Sequence, residues 1–154
     1  MKQLEVLVTD RTAFIGPCYD GIHKSKVVEC TGEVIYSKMT VMEVLEESCI
    51  VYGSDYNGRI RAARRVFSYD KKTPLLVSQL DYIMAVPTES PDNDECIWLF
   101  SRHIDSTSTF QGQTFVHFTN GSKTEVNCSY EVLHKQLERG AATMTYFTRY
   151  RRPQ

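Results

Sequence analysis

Two runs that meet at Asn120-Gly121 constrain the fold of this chain more than any other feature. Thr114 to Thr119 precede the pair and Ser122 to Cys128 follow it. Asn-Gly supplies the positive φ that a two-residue type I′ turn demands, so the two runs are expected to pair as adjacent antiparallel strands. Other runs are short and bounded by turn residues in the same way. Leu4, Val6 and Val8 alternate with polar neighbours and read as a first strand. Val27, Val28 and Cys30, then Glu33 to Tyr36, flank Thr31-Gly32 as a second hairpin. Leu75 to Val77, Tyr82 to Val86 and Ile97 to Phe100 read as strands, with residues 102–110 extending the last. Residues 11–22, punctuated by Gly16-Pro17 and Asp20-Gly21, read as loop, and so does the acidic stretch from Pro87 to Glu95.

Two segments carry helical signals. Thr40 and Glu43 form a capping box, and Val41, Val44, Leu45 and Cys49 follow on one face, so a helix is predicted over about 40–52 with Gly53 as its stop. Ser129 is an N-cap for a closing helix over about 129–146, with Tyr130, Leu133, Leu137 and Met144 on one face and Gly140 as a point of ending or weakness. Residues 60–69 mix Ile60, Val66, Phe67 and Tyr69 with arginines and fit either strand or helix, and Thr73-Pro74 blocks a continuing helix. No repeat or linker divides the 154 residues. The expectation is one α+β domain over 1–154, with antiparallel hairpins and two main helices.

Apolar residues make up 42% of the chain, too many for intrinsic disorder, yet no apolar run approaches the roughly 18–20 residues of a membrane helix. No basic-then-apolar leader opens the chain, so a cytoplasmic protein with no membrane partner is expected. The five cysteines include no C-x-x-C pair, and free thiols are expected, with Cys30, Cys49, Cys96 and Cys128 behaving as small hydrophobes.

Catalytic patterns fail one by one. In Gly53-Ser-Asp-Tyr-Asn-Gly58-Arg59-Ile60 the lysine and hydroxyl of a phosphate loop are replaced by Arg59 and Ile60. Ser54 lacks the G-x-S-x-G elbow. Cys96 and His103, with Asp105 as orienter, would stand about 23 Å apart along an extended strand. His23, His103, His117 and His134 are scattered, without metal-ligand spacing. No catalytic residue or metal site is therefore expected and the chain reads as a non-enzyme, with a small hydrolase using Cys96 or His103 as a last alternative.

Charge is more informative once divided. The net charge is −1. Residues 59–72 carry Arg59, Arg61, Arg64, Arg65, Lys71 and Lys72 against Asp70, a balance of +5. Residues 132–154 carry Lys135, Arg139, Arg149, Arg151 and Arg152 against Glu138, a balance of +4. Residues 1–58 balance at −4 and residues 73–131 at −6. Two basic islands in an acidic body point to a polyanionic partner, and charge leaves DNA, RNA and an acidic protein open.

The segment Ser48-Cys49-Ile-Val-Tyr52-Gly53-Ser54-Asp-Tyr56-Asn-Gly58-Arg59 resembles the central motif of the ComK family of competence transcription factors. The likeness continues in order through Lys72-Thr-Pro74-Leu-Leu-Val77, Val86-Pro87-Thr88-Glu-Ser90, and Cys96-Ile-Trp98-Leu99 with His103. It ends with Thr114-Phe-Val-His-Phe118-Thr-Asn120-Gly121 and Ser129-Tyr130, so it spans about residues 21–147. The resemblance implies a DNA-binding activator of DNA-uptake genes, in the cytoplasm at the nucleoid, that reads AT-rich boxes through the minor groove. It implies a homodimer or tetramer, an adaptor of proteolysis as further partner, and no cofactor. Arg59 matches the family motif and Lys72 lies in a matching segment. Arg61, Arg64, Arg65, Lys71, Arg149, Arg151 and Arg152 join the expected contacts on charge alone. The chain departs from the family in an arginine-rich 61–69 segment and in stopping at Gln154, where longer members continue with a tail that meets the adaptor. The alternative expectation is a modulator that dimerises with a longer member, or engages the adaptor, without activating transcription itself.

Overall fold

Several strands of this protein show no polar alternation because both of their faces are covered. The computed structural model describes residues 7–149. In chain order it runs β1 (Thr12–Pro17), β2 (Ser25–Glu29), β3 (Val34–Ser37), α1 (Val41–Val51), α2 (Tyr56–Phe67), β4 (Leu75–Ser78), β5 (Ile83–Pro87) and β6 (Trp98–Phe100). A single 3-10 turn, Ser101–His103, leads to β7 (Ile104–Phe110), β8 (Gln113–Phe118), β9 (Lys123–Val126) and α3 (Tyr130–Arg149). The α+β class with antiparallel sheet is as the sequence predicts.

Six strands form one sheet in the order β3-β2-β1-β6-β5-β4, every neighbour antiparallel, and β7-β8-β9 form a second. The chain leaves one edge at β3 and re-enters at the opposite edge, β4. The connection is α1 and α2, which cross one face on the way. Ile15, Val27, Leu75, Val77, Ile83, Ala85, Trp98 and Phe100 point to that face and pack with Val44, Leu45, Cys49 and Ile60. Their sequence neighbours point to the other face, where Phe14 and Leu99 meet Val116, Phe118, Val126 and Leu133, and Leu76, Met84 and Val86 meet Leu137, Met144 and Phe147. Side-chain alternation with period two thus splits each central strand between two cores. No helix among the described residues is long and apolar enough to cross a membrane.

The capping box forms as predicted: the Glu43 N–H donates to Thr40 Oγ1 (3.1 Å) and the Thr40 N–H to Glu43 Oε1 (2.9 Å). Gly53 ends the helix at φ +81, its N–H bonded to the Ile50 carbonyl. Ser129 Oγ accepts from the Val132 N–H at 3.2 Å and opens α3. The hairpin around Thr31-Gly32 forms as β2 and β3.

Three expectations are corrected, one falls largely outside the described residues, and one open segment is resolved. Residues 12–17 are a central strand rather than loop, because Ala13-Phe14-Ile15 is an apolar run and Pro17 lies at the strand end, where a missing N–H costs little. Of the first predicted strand, Leu4 and Val6 lie outside the described residues, and Val8 is buried without joining a sheet. The segment left open at 60–69 is helical to Phe67: Asp55 caps it by accepting from the Gly58 N–H, and Ser68 ends it at φ +57. The described residues thus hold a third α-helix beside the two predicted ones. Residues 102–110 do not prolong β6, since the 3-10 turn redirects them into the second sheet. The type I′ geometry sits at Gln111-Gly112, where both φ values are positive (+52 and +79). At Asn120-Gly121 only Gly121 is left-handed, which makes a three-residue loop closed by the Gly121 N–H on the Phe118 carbonyl.

Gly140 neither ends nor interrupts α3. It lets the helix lie close on β5: a Cβ there would stand 2.6 Å from Val86 Cγ2, a β-branched side chain with little freedom to move. Overpacking costs roughly 1–3 kcal/mol, against the ~1 kcal/mol that alanine gains over glycine in helix propensity. Gly140→Ala is therefore expected to lower the unfolding free energy by about 1–2 kcal/mol in urea denaturation. An unchanged midpoint would show that α3 can lift off the sheet freely.

Burial also sets an alkaline limit. It pushes the Cys49 and Cys96 thiols up from 9.0 to about 11, and the Tyr56 hydroxyl up from 10.0 to about 12. Between the ordinary and raised values the native state holds protons that the unfolded chain has lost. Stability is complete below about pH 9 and falls as pH rises through the 9–12 window. Urea midpoints at pH ~8 and pH ~10.5 should differ accordingly, and equal midpoints would contradict burial of these groups.

Candidate nucleic-acid interface

The spacing of residues in α2 sorts its charges. Ile60 and Ala63 are buried, and Phe67 continues their stripe half-buried. Positions 61 and 65, four apart, fall on the opposite face, and Arg61 and Arg65 are exposed there. Arg64 lies at the flank, exposed, with Nε donating to Thr73 Oγ1 at 2.9 Å. Arg64 and Arg65 also sit in the last turn, where cations suit the negative end of the helix. None of the three forms an ion pair with a described residue. Arg59 is half-buried, and its Nε is buried without a hydrogen-bond partner among the described residues. The family-motif arginine therefore stands apart from the exposed row.

The second basic block reaches the first through α3. Past Ser68 the chain crosses Tyr69 to Lys72, with Lys72 itself left-handed at φ +54. Gln136, buried on α3, uses Nε2 to donate to the carbonyls of Lys72 (2.8 Å) and Pro87 (2.9 Å). One turn on, Arg139 Nη1 donates to the Lys71 carbonyl (3.1 Å), and its guanidinium lies 4.7 Å over the Tyr69 ring. The Tyr69 hydroxyl donates back to the Arg139 carbonyl at 3.4 Å. An aromatic run continues the seam: Phe67 stacks on Tyr69 (5.1 Å) and meets Tyr146 edge-on (5.7 Å), and Arg149 lies 5.8 Å from the Tyr146 ring.

A groove of about 290 Å³ results, walled by Lys71, Lys72, Lys135 and Arg139, with Asp70 and Gln136 also on its lining. Four cations around one groove repel each other, and a polyanion relieves that cost. Of the expected contacts, Arg61, Arg64, Arg65, Lys71 and Arg149 are exposed and Lys72 is half-buried, and of these Lys71 and Lys72 line the groove. Arg151 and Arg152 lie outside the described residues. Lys135 and Arg139 line the groove as well and are not among the residues expected from charge to make contact. Their four-residue spacing on a predicted helix was the available signal.

The catalytic alternative is not assembled. The Cys96 thiol donates to the Glu89 carbonyl at 3.4 Å within the core under the first helices, and burial keeps it protonated. His103 Nε2 is 2.7 Å from the Asp10 carbonyl, beside the exposed pair Asp10–Arg102.

Removing Gln136 should separate the two basic blocks. A buried carbonyl stripped of its donor costs roughly 1–3 kcal/mol, so Gln136→Leu is expected to destabilise by that amount in urea denaturation. It should also raise hydrogen exchange at residues 69–72 selectively. Unchanged protection there would show that the segment is held by other contacts.

The comparisons with known proteins agree with one another. The family model described as ComK protein matches residues 3–152. The chain is 31% identical over 131 residues to the "Competence transcription factor" of Bacillus subtilis (strain 168), covering 83% of this chain and 67% of that protein. No solved structure matches significantly. With the family model covering nearly the whole length, this chain is a member of the ComK family.

Proposed function

We propose that this chain is a competence transcription factor that binds duplex DNA through the face formed by α2, residues 68–72 and α3. One observation carries the reading: two basic blocks far apart in sequence are tied together where Gln136 and Arg139 donate to the Lys72 and Lys71 carbonyls. The name of the Bacillus subtilis relative supports the transcriptional role. Arg61 and Arg65, exposed and without carboxylate partners among the described residues, serve as phosphate contacts. Arginines are also drawn to the narrow minor groove of AT-rich sequence, where the negative potential is deepest. The reading is thus of a protein that docks on AT-rich boxes from the minor-groove side, positioned by phosphate contacts.

Fluorescence anisotropy tests this with a duplex carrying two AT-rich boxes, a GC-rich duplex of equal length, and a single strand. Binding is expected to favour the AT-rich duplex and to yield to a minor-groove drug. Affinity indifferent to sequence and drug would sink the sequence-specific reading. Because both side chains are exposed, Arg61→Ala with Arg65→Ala should leave the fold intact and lower the slope of log K against log salt by about two. An unchanged slope would remove both from the contact surface.

A further inference from the structure

Because neighbouring strands run antiparallel, β1 and β5 begin and β6 ends at the same end of the six-stranded sheet. A pocket of about 230 Å³ lies there, between the strand ends and α3. β5 and the residue before it supply Met84 and Tyr82, β6 supplies Phe100, and α3 supplies Met144. The lining is thus rich in rings and thioethers. The pocket shares no lining residue with the basic groove.

Most polar groups on the lining are already engaged. Thr12 Oγ1 accepts from the Thr9 N–H (2.9 Å) and donates to the Glu29 carboxylate (3.3 Å). Arg102 Nη2 donates to the carbonyls of Asp81 (2.7 Å) and Tyr82 (3.3 Å), and Nη1 lies 3.8 Å from the Asp10 carboxylate. His103 Nε2 is 2.7 Å from the Asp10 carbonyl. The exposed cation and anion, Arg102 and Asp10, offset each other and leave no net charge to hold an ion. Ser101 is the exception. Its Oγ is buried without a hydrogen-bond partner among the described residues. The hydroxyl stands at the seam where α3 meets the sheet, 3.9 Å from the place of a Cβ on Gly140, with Met84 Cγ 3.7 Å from the same point. An unpaired buried hydroxyl is unfavourable, and a ligand group that bonds to it removes that cost.

We propose that this pocket binds a small neutral aromatic molecule, packed against Met84, Met144 and Phe100 and hydrogen-bonded to Ser101 Oγ. An apolar cavity of about 150 Å³ holds benzene, so this one has room for a ring with a polar substituent or a fused second ring. Thioethers make favourable contacts with aromatic rings, and ring pairs add to them. The main rival is a fatty-acid carboxylate, which needs a free cation, and Arg102 is already committed to two carbonyls. Met144 lies on the helix that also carries Gln136 and Arg139, so the ligand touches the element that walls the basic groove.

The test uses the full chain with isotope-labelled methionine methyl groups, and phenol, toluene and octanoate as probes. Phenol is expected to shift the Met84 and Met144 methyl resonances, to leave Met39 and Met42 unmoved, and to bind with a Kd of about 1 mM or tighter. No shift at Met84 and Met144, whatever fills the pocket instead, or equal shifts at Met39 and Met42, would overturn the site. Octanoate binding more tightly than phenol would overturn the neutral aromatic class. Ser101→Ala removes only the unpaired hydroxyl and should weaken phenol about three- to tenfold while leaving toluene unchanged. Equal effects on the two probes would overturn the hydrogen bond to Ser101. No DNA enters this experiment, and its failure leaves the nucleic-acid reading standing.

Discussion

The amide of Gln136 is the contact on which the charged surface depends. Its two protons go to the carbonyls of Lys72 and Pro87, one on the basic crossing and one at the end of β5. A buried carboxamide with both donors used is rigid, because either bond lost leaves a buried carbonyl without a partner. Arg139, one turn along the same helix, then spends part of its guanidinium on the Lys71 carbonyl and the Tyr69 ring. Polar contacts thus hold together charges that would otherwise drive the segments apart. Gly140, next in line, sets how closely the helix carrying these groups lies on the sheet.

The route of the chain explains why the basic face lies where it does. Leaving the sheet at β3 and returning at β4 requires a crossing of the whole sheet, and α1 and α2 supply it. The second of them ends beside the strand that the chain re-enters. Its last turn, the segment through residues 68–72 and the middle of α3 are thereby brought into contact. Among the described residues the opposite end of the sheet is the short uncharged strand β3.

Local signals were legible and non-local ones were not. The capping box at Thr40 and Glu43 and the stop at Gly53 involve residues within a few positions of each other, so their geometry is dictated by neighbouring atoms. β1 was hidden because Gly16-Pro17 and Asp20-Gly21 are strong loop signals, while the partners that make it a central strand include β6, more than eighty residues on. α2 was ambiguous because Val66, Phe67 and Tyr69 suit a strand, and only the packing of Ile60 and Ala63 beneath the arginines selects the helix. The turn types changed for a similar reason. Strand register, set by which face of β8 is buried, decides how many residues each loop holds.

By itself the sequence determined the α+β class, the charge islands and the motif order of the ComK family, because each is a property of residues near one another in the chain. Tertiary structure alone decided that part of one island, Lys71 and Lys72, lies against Lys135 and Arg139 of the other. The bond from Arg139 to Lys71 spans 68 residues, and Gln136 reaches Lys72 over 64. Such contacts arise only once helix and sheet pack, and packing depends on the volumes and hydrogen bonds of the whole core. It also decided that the family-motif arginine, Arg59, is half-buried, while Arg61 and Arg65 are exposed. A helix shows one face to solvent, and which face that is depends on what lies beneath it.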